Sequence, residues 1–200
     1  MIFNKTGQYP DKKLLITILV LVVFGLIMTF SASAHLEGTP KVIKQGIYIG
    51  LGLIAGFFVL KTPISFFKKH SGIAFIVTLI LLTLVFIPYI GAGKIGGAYR
   101  WINVGLFNFQ PSEMMKLAMV LFMAGFLIRQ EKEVTDSLTG IGKTLLIVAS
   151  SGLLTMMETD LGATIIITLT ALSMLFIAGS YIKELLMAGA GILGGLALYV

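Results

Sequence analysis

Leu14-Leu15-Ile16-Thr17-Ile18-Leu19-Val20-Leu21-Val22-Val23-Phe24-Gly25-Leu26-Ile27-Met28-Thr29-Phe30 runs without a single charge behind Lys12-Lys13. Its apolar residues show neither a period of two nor a polar stripe. It therefore reads as a helix whose whole circumference meets an apolar medium. A bilayer-spanning helix takes about 20 residues. Working outward, the same pattern recurs at Gln45–Leu60, Ser71–Ile90, Ser112–Ile128, Thr144–Met157 (a short one), Leu161–Ser180 and from Leu185 to Val200. Backbone groups in hydrocarbon must be satisfied within their own segment or in a closed barrel, and no barrel-type alternation is present. The expected fold class is all-α, a polytopic membrane bundle of about seven transmembrane helices. Such helices would take about 140 residues of the chain's 200, leaving loops but no soluble domain, so 1–200 is expected to be a single membrane domain.

Composition agrees. Hydrophobic residues make up 57% and charged residues 12%, and the mean hydropathy is +1.00. Ordinary soluble enzymes and disordered proteins are excluded by that balance. The net charge of +6 is no nucleic-acid footprint, because the basic residues are scattered between apolar runs. With no cysteine, disulfides and thiol chemistry are excluded. His35 and His70 lie too far apart in sequence to suggest a metal site.

Orientation follows from Lys and Arg. Lys5, Lys12, Lys13, Lys61, Lys68, Lys69, Arg129, Lys132, Lys143 and Lys183 fall on one side of the spans. Lys41, Lys44, Lys94, Arg100 and Lys116 fall on the other. The richer side is cytoplasmic, which puts the N-terminus inside. Lys12-Lys13, the apolar run and Ala32-Ser33-Ala34 also trace a signal-peptide outline, but the run is long for one, and the span reading is preferred. Gly46/Gly50, Gly52/Gly56 and Gly191/Gly195 have the spacing that lets helix backbones approach within a bundle.

The chemistry-bearing residues fall at one face. The outer loop Gly91–Pro111 mixes glycine with Tyr99, Trp101, Phe107 and Phe109, a composition suited to lying along the membrane interface. Its glycines do not form a P-loop, since Ile95 follows Lys94. Trp101 reads either as an interface anchor or as a ligand contact. Arg100 reads either as a snorkelling side chain or as a bidentate grip on a lipid-linked phosphate. Pro111 suits the first turn of a helix, and Glu113 meets the positive end of its dipole. Glu113 and Lys116 share a face, as a self-neutralising pair or as the wall of a cavity that offers positive charge to an anion. Asp160 is placed to cap the next helix. With Glu158 it brings acid near the start of the fourth span, within reach of Lys116, Arg100 or a divalent cation. Arg129-Gln130-Glu131-Lys132-Glu133 reads as a solvated loop on the inner side.

Gly97-Ala98-Tyr99-Arg100-Trp101-Ile102, Gln110-Pro111-Ser112-Glu113 with Lys116, and Asp160-Leu161-Gly162 occur in that order between these spans. Together they resemble the SEDS family (FtsW/RodA/SpoVE) over nearly the whole chain. Ser31-Ala32-Ser33, Gly105–Glu113 and Met157-Glu158 resemble its division branch, FtsW, more than RodA, whose elongation role is the nearer alternative. Thr159 stands where the family pattern usually has proline, and Tyr99 where a basic or polar residue is common. The resemblance implies a protein of about ten helices and about twice this length, with the expected catalytic base, an aspartate, beyond Val200.

What the resemblance implies is a peptidoglycan glycosyltransferase that polymerises lipid II in the bacterial inner membrane. Its partners would be a class B penicillin-binding protein and other divisome proteins at the septum. Substrate binding would fall to Arg100, Lys116, Glu113, Gln110 and Trp101, with Pro111, Ser112, Asp160 and Gly162 shaping the site. A divalent cation (Mg or Mn) could share the pyrophosphate charge. A lipid II flippase and an inactive membrane scaffold for the penicillin-binding protein are the competing functional classes.

Overall fold

In a computed structural model of the chain, the charge-free runs are α-helices. The structure describes residues 11–33, 38–105, 108–136, 138–180, 187 and 189–191. Among the described residues, five helices are long and apolar enough to cross a membrane, and a sixth, Leu161–Ile177, is apolar but shorter. The chain is a polytopic helical membrane protein. The expected seventh span, from Leu185, lies almost wholly outside the described residues.

The chain divides into two units, 1–66 and 67–200. The first holds α1 (Lys12–Ser33) against α2 (Gly38–Lys61). Asp11 Oδ1 accepts from Lys13 N–H at 2.8 Å and starts α1. Among the described side chains of α1 only Ser33 is buried, which is what a lipid-facing helix requires. Lys61 ends α2 with its Nζ 4.2 Å from the centre of the Phe57 ring. Among the described residues, a Cβ on Gly46, Gly50, Gly52 or Gly56 would meet nothing within 4 Å.

The second unit holds α3 (Ile64–Leu84) from Phe67 onward, then a two-stranded antiparallel ribbon, β1 (Ile102–Asn103) with β2 (Asn108–Phe109). Next come α4 (Pro111–Arg129), α5 (Glu131–Asp136), α6 (Leu138–Met157) and α7 (Leu161–Ile177). Met115, Met119 and Met123 repeat every fourth residue on α4, as do Ile167, Ala171 and Leu175 on α7. These two stripes form the centre of the core, joined by Phe75, Leu82 and Val148. Phe75 of α3 stacks on Phe122 of α4 at 4.7 Å between ring centres.

Several boundaries differ from the expected ones, and charge is the main reason. The third helix starts at Ile64, through Lys68-Lys69, and ends at Leu84, ahead of Pro88, rather than at Ile90. The fifth span is not short. α6 starts at Leu138 and carries Lys143, whose ammonium is 2.6 Å from Glu133. The second helix likewise passes through Lys44 and ends at Lys61. A lysine near a helix end can reach water, so it does not end the helix. The mixed-charge stretch after Arg129 is the short helix α5 rather than a loop. α7 stops at Ile177, short of Ser180, because Gly179 turns the chain with φ 88°.

Candidate functional site at the α3–α4 and α6–α7 connections

The long connection between α3 and α4 contains a tight hairpin. Gly96 (φ 61°) and Gly97 (φ 86°) form the two-residue turn between Ile95 and Ala98, which exchange both backbone hydrogen bonds. Both turn positions need positive φ, which glycine adopts at no steric cost. Ala92 N–H donates to the Trp101 carbonyl at 2.8 Å, and Asn103 N–H to the Ile90 carbonyl at 3.1 Å. Gly91 lies so close to the end of α3 that a Cβ there would sit 2.0 Å from the Val85 carbonyl oxygen. Ala98 and Ile102 are buried, which seats the hairpin and positions Arg100 and the half-buried Trp101. Of the loop's other aromatic residues, Phe107 lies outside the described residues.

Arg100 reaches the turn between α6 and α7, where its Nη2 donates to the Thr159 carbonyl. That turn is a Schellman closure. Thr159 N–H donates to the Met156 carbonyl at 2.8 Å, and Asp160 N–H to the Thr155 carbonyl at 3.0 Å. The motif needs a left-handed residue, and Thr159 adopts φ 59°. The proline expected from the family pattern could not do so, since its ring holds φ near −65°. This turn is therefore built differently from one with proline.

Asp160 ties the turn to α4. Its Oδ1 accepts from Ala163 N–H at 3.2 Å and caps α7. Its Oδ2 accepts from Ser112 Oγ and from Gln110 Nε2, both at 3.0 Å. Gln110 Nε2 also donates to Ser112 Oγ at 3.0 Å. Pro111 is the first residue of α4 and is buried. Asp160's carboxylate thus lies against the first turn of α4, where the helix dipole favours an anion. A Cβ at Gly162 would lie 3.8 Å from Asp160 Oδ1, an ordinary contact.

Glu158 is fully buried, and among the described residues neither carboxyl oxygen has a hydrogen-bond partner. It lies just beyond the end of α6. Burial pushes its carboxyl up from 4.5 to about 8; the Asp160 charge adds to the rise and the Arg100 charge opposes it. Lys116 pairs with Glu113 at 2.8 Å rather than with Glu158 or Asp160. Glu113 is exposed and Lys116 is partly buried.

Sequence reasoning placed Arg100, Gln110, Ser112, Glu158 and Asp160 at one face, and the structure brings them together. It did not foresee the Thr159 carbonyl as Arg100's acceptor, because a left-handed threonine has no sequence signature. Both Asp160 oxygens are engaged, and among the described residues no three His, Asp or Glu are grouped. His35 lies outside the described residues.

The family model for the FtsW/RodA/SpoVE group, described as cell cycle protein, matches residues 12–200. The chain is 38% identical over 184 residues to the probable peptidoglycan glycosyltransferase FtsW of Hydrogenovibrio crunogenus, covering 88% of the chain and 46% of that protein. It is 38% identical over 175 residues to the protein of the same name from Coxiella burnetii, covering 84% and 47%. It is 36% identical over 186 residues to stage V sporulation protein E of Bacillus subtilis, covering 90% and 50%. The chain spans about half the length of the curated relatives it matches.

Proposed function

The chain belongs to the FtsW/RodA/SpoVE family, and from that premise we propose that it forms the substrate-binding half of an FtsW-like peptidoglycan glycosyltransferase that polymerises lipid II in cell division. The observation that carries this reading is the family match over residues 12–200, which takes in every side chain of the site. We place the chain in the bacterial inner membrane with its N-terminus cytoplasmic and this site at the outer face. A class B penicillin-binding protein of the divisome is its partner at the septum.

The reaction joins two sugars. The acceptor's 4-hydroxyl gives its proton to a base, its oxygen bonds to the donor's anomeric carbon, and the bond from that carbon to undecaprenyl diphosphate breaks. Negative charge develops on the departing pyrophosphate, and positive groups fixed beside it lower the barrier most. Arg100 offers a planar fork suited to phosphate oxygens, and Lys116, oriented by Glu113, offers a point charge. Gln110 and Trp101 line the approach, and Pro111, Ser112, Asp160 and Gly162 hold its shape. With Asp160 against the start of α4, the anion is left to the two side chains rather than to the helix end. The base is not assigned to any described residue. A divalent cation would enter with the pyrophosphate as part of the substrate, and no step here depends on one.

The test is polymerisation of purified lipid II by the full-length protein. Glycan strands are expected. Lys116→Met is expected to cut their rate about 100-fold with membrane insertion intact, the usual effect of removing one group that stabilises developing charge. Arg100→Lys keeps the charge but loses the fork, and most of the activity with it. Transbilayer movement of labelled lipid II without polymer would replace this reading with transport.

A further inference from the structure

Two orphaned groups are buried at this site. Glu158 has no exposed surface, and among the described residues neither of its carboxyl oxygens has a hydrogen-bond partner. Arg100 Nε is also buried with no acceptor among the described residues, although Nη2 of the same guanidinium is bonded to the Thr159 carbonyl. A buried carboxylate with no donor is strongly disfavoured, and so is a buried N–H with no acceptor. The simplest arrangement that avoids an unpaired buried anion is a carboxyl group that keeps its proton. Burial favours that form, and so does Asp160, which is held as an acceptor by Ala163, Ser112 and Gln110.

We propose that Glu158 is a positioning residue which, by remaining neutral, leaves the Arg100 charge available to a lipid-linked pyrophosphate, and which withdraws that charge when it ionises. The proposal rests on the reading of Arg100 as the phosphate grip. Ionised Glu158 would supply an acceptor for the orphaned Nε–H and draw the guanidinium into an internal pair, at the expense of any external anion. Two charged groups bear on the switch. Arg100 comes from the α3–α4 connection, and Asp160 comes from the start of α7. The Glu113–Lys116 pair on α4 is internally neutralised. A carboxyl held near pH 8 makes the switch fall on the alkaline side of neutrality.

The experiment uses the full-length protein in nanodiscs, with undecaprenyl diphosphate as the probe and its affinity measured from about pH 7 to about pH 9.5. The unmodified protein is expected to lose roughly fivefold or more in affinity across that range, a typical coupling between two linked sites. Glu158→Gln, which cannot ionise, is expected to bind with no such fall when normalised to its own maximum. An identical fall in Glu158→Gln overturns the proposal. Infrared difference spectra give a readout that does not depend on binding. A protonated-carboxyl stretching band is expected at neutral pH, absent in Glu158→Gln and lost in alkali. Absence of that band in the unmodified protein also overturns the proposal. If the band is present but the probe binds neither protein at any pH, the reading of Arg100 as a phosphate grip fails instead.

Discussion

Asp160 is the residue on which the site's geometry turns. One carboxylate caps α7 and holds the first turn of α4 through Ser112 and Gln110. Asp160→Ala removes a cap, which costs about 1 kcal/mol, and leaves polar groups at Ser112 and Gln110 without an acceptor, which adds about 1–3 kcal/mol. The expected result is a clear drop in Tm in detergent, with Asp160→Asn recovering part of it. Glu158 acts on stability in the opposite sense. Its folded-state pKa, about 8, lies above the ordinary 4.5, so the folded protein holds the proton more tightly than the unfolded chain. Its contribution is fully present below pH 4.5, is lost as pH rises toward 8, and is constant above that. Thermal unfolding across this window should therefore show a decline that Glu158→Gln flattens. Asp160's capping role was legible from its place before an apolar run. Glu158's burial was not, since its sequence neighbours Thr159 and Asp160 suggest a polar turn.

At the scale of elements, two helices end in the same motif with different residues. α7 closes with Gly179, whose N–H donates to Phe176 and whose successor Ser180 donates to Leu175. α6 closes in the same way on Thr159, a β-branched residue at φ 59°. A left-handed L-residue costs about 1–2 kcal/mol, so Thr159→Gly is expected to raise stability by about 1 kcal/mol. Thr159→Pro removes the hydrogen bond to Met156 and demands the wrong φ, and is expected to lower stability by about 3 kcal/mol. Denaturation of both variants checks the pair; a stable proline variant would refute the left-handed assignment. Read from the sequence, α7 runs past Gly179 to Ser180, and nothing there marks Thr159 as left-handed. The Gly96-Gly97 turn was open to reading as a hairpin signal, and the loop's aromatic content spoke only to its place along the membrane interface.

At the scale of the molecule, the absence of cysteine makes orientation directly measurable. Tyr89 is fully exposed between α3 and α4, and Lys132 is exposed on α5. With a cytoplasmic N-terminus, Tyr89→Cys is expected to react with an impermeant maleimide in spheroplasts, and Lys132→Cys only after permeabilisation. The reverse pattern would invert the topology. The sequence by itself determined the solvent and therefore the class. Charge-free runs of near-bilayer length have no stable place but lipid, and in lipid every backbone group must be paired, which without barrel alternation leaves helices. Tertiary structure alone decided which polar groups of the site are bonded and which are orphaned. Arg100 meets Thr159 from 59 residues away, and Gln110 and Ser112 meet Asp160 from 50 and 48 residues away. Hydropathy reports how each segment meets its solvent. The burial that keeps Glu158 without a partner depends on how those distant segments pack around it.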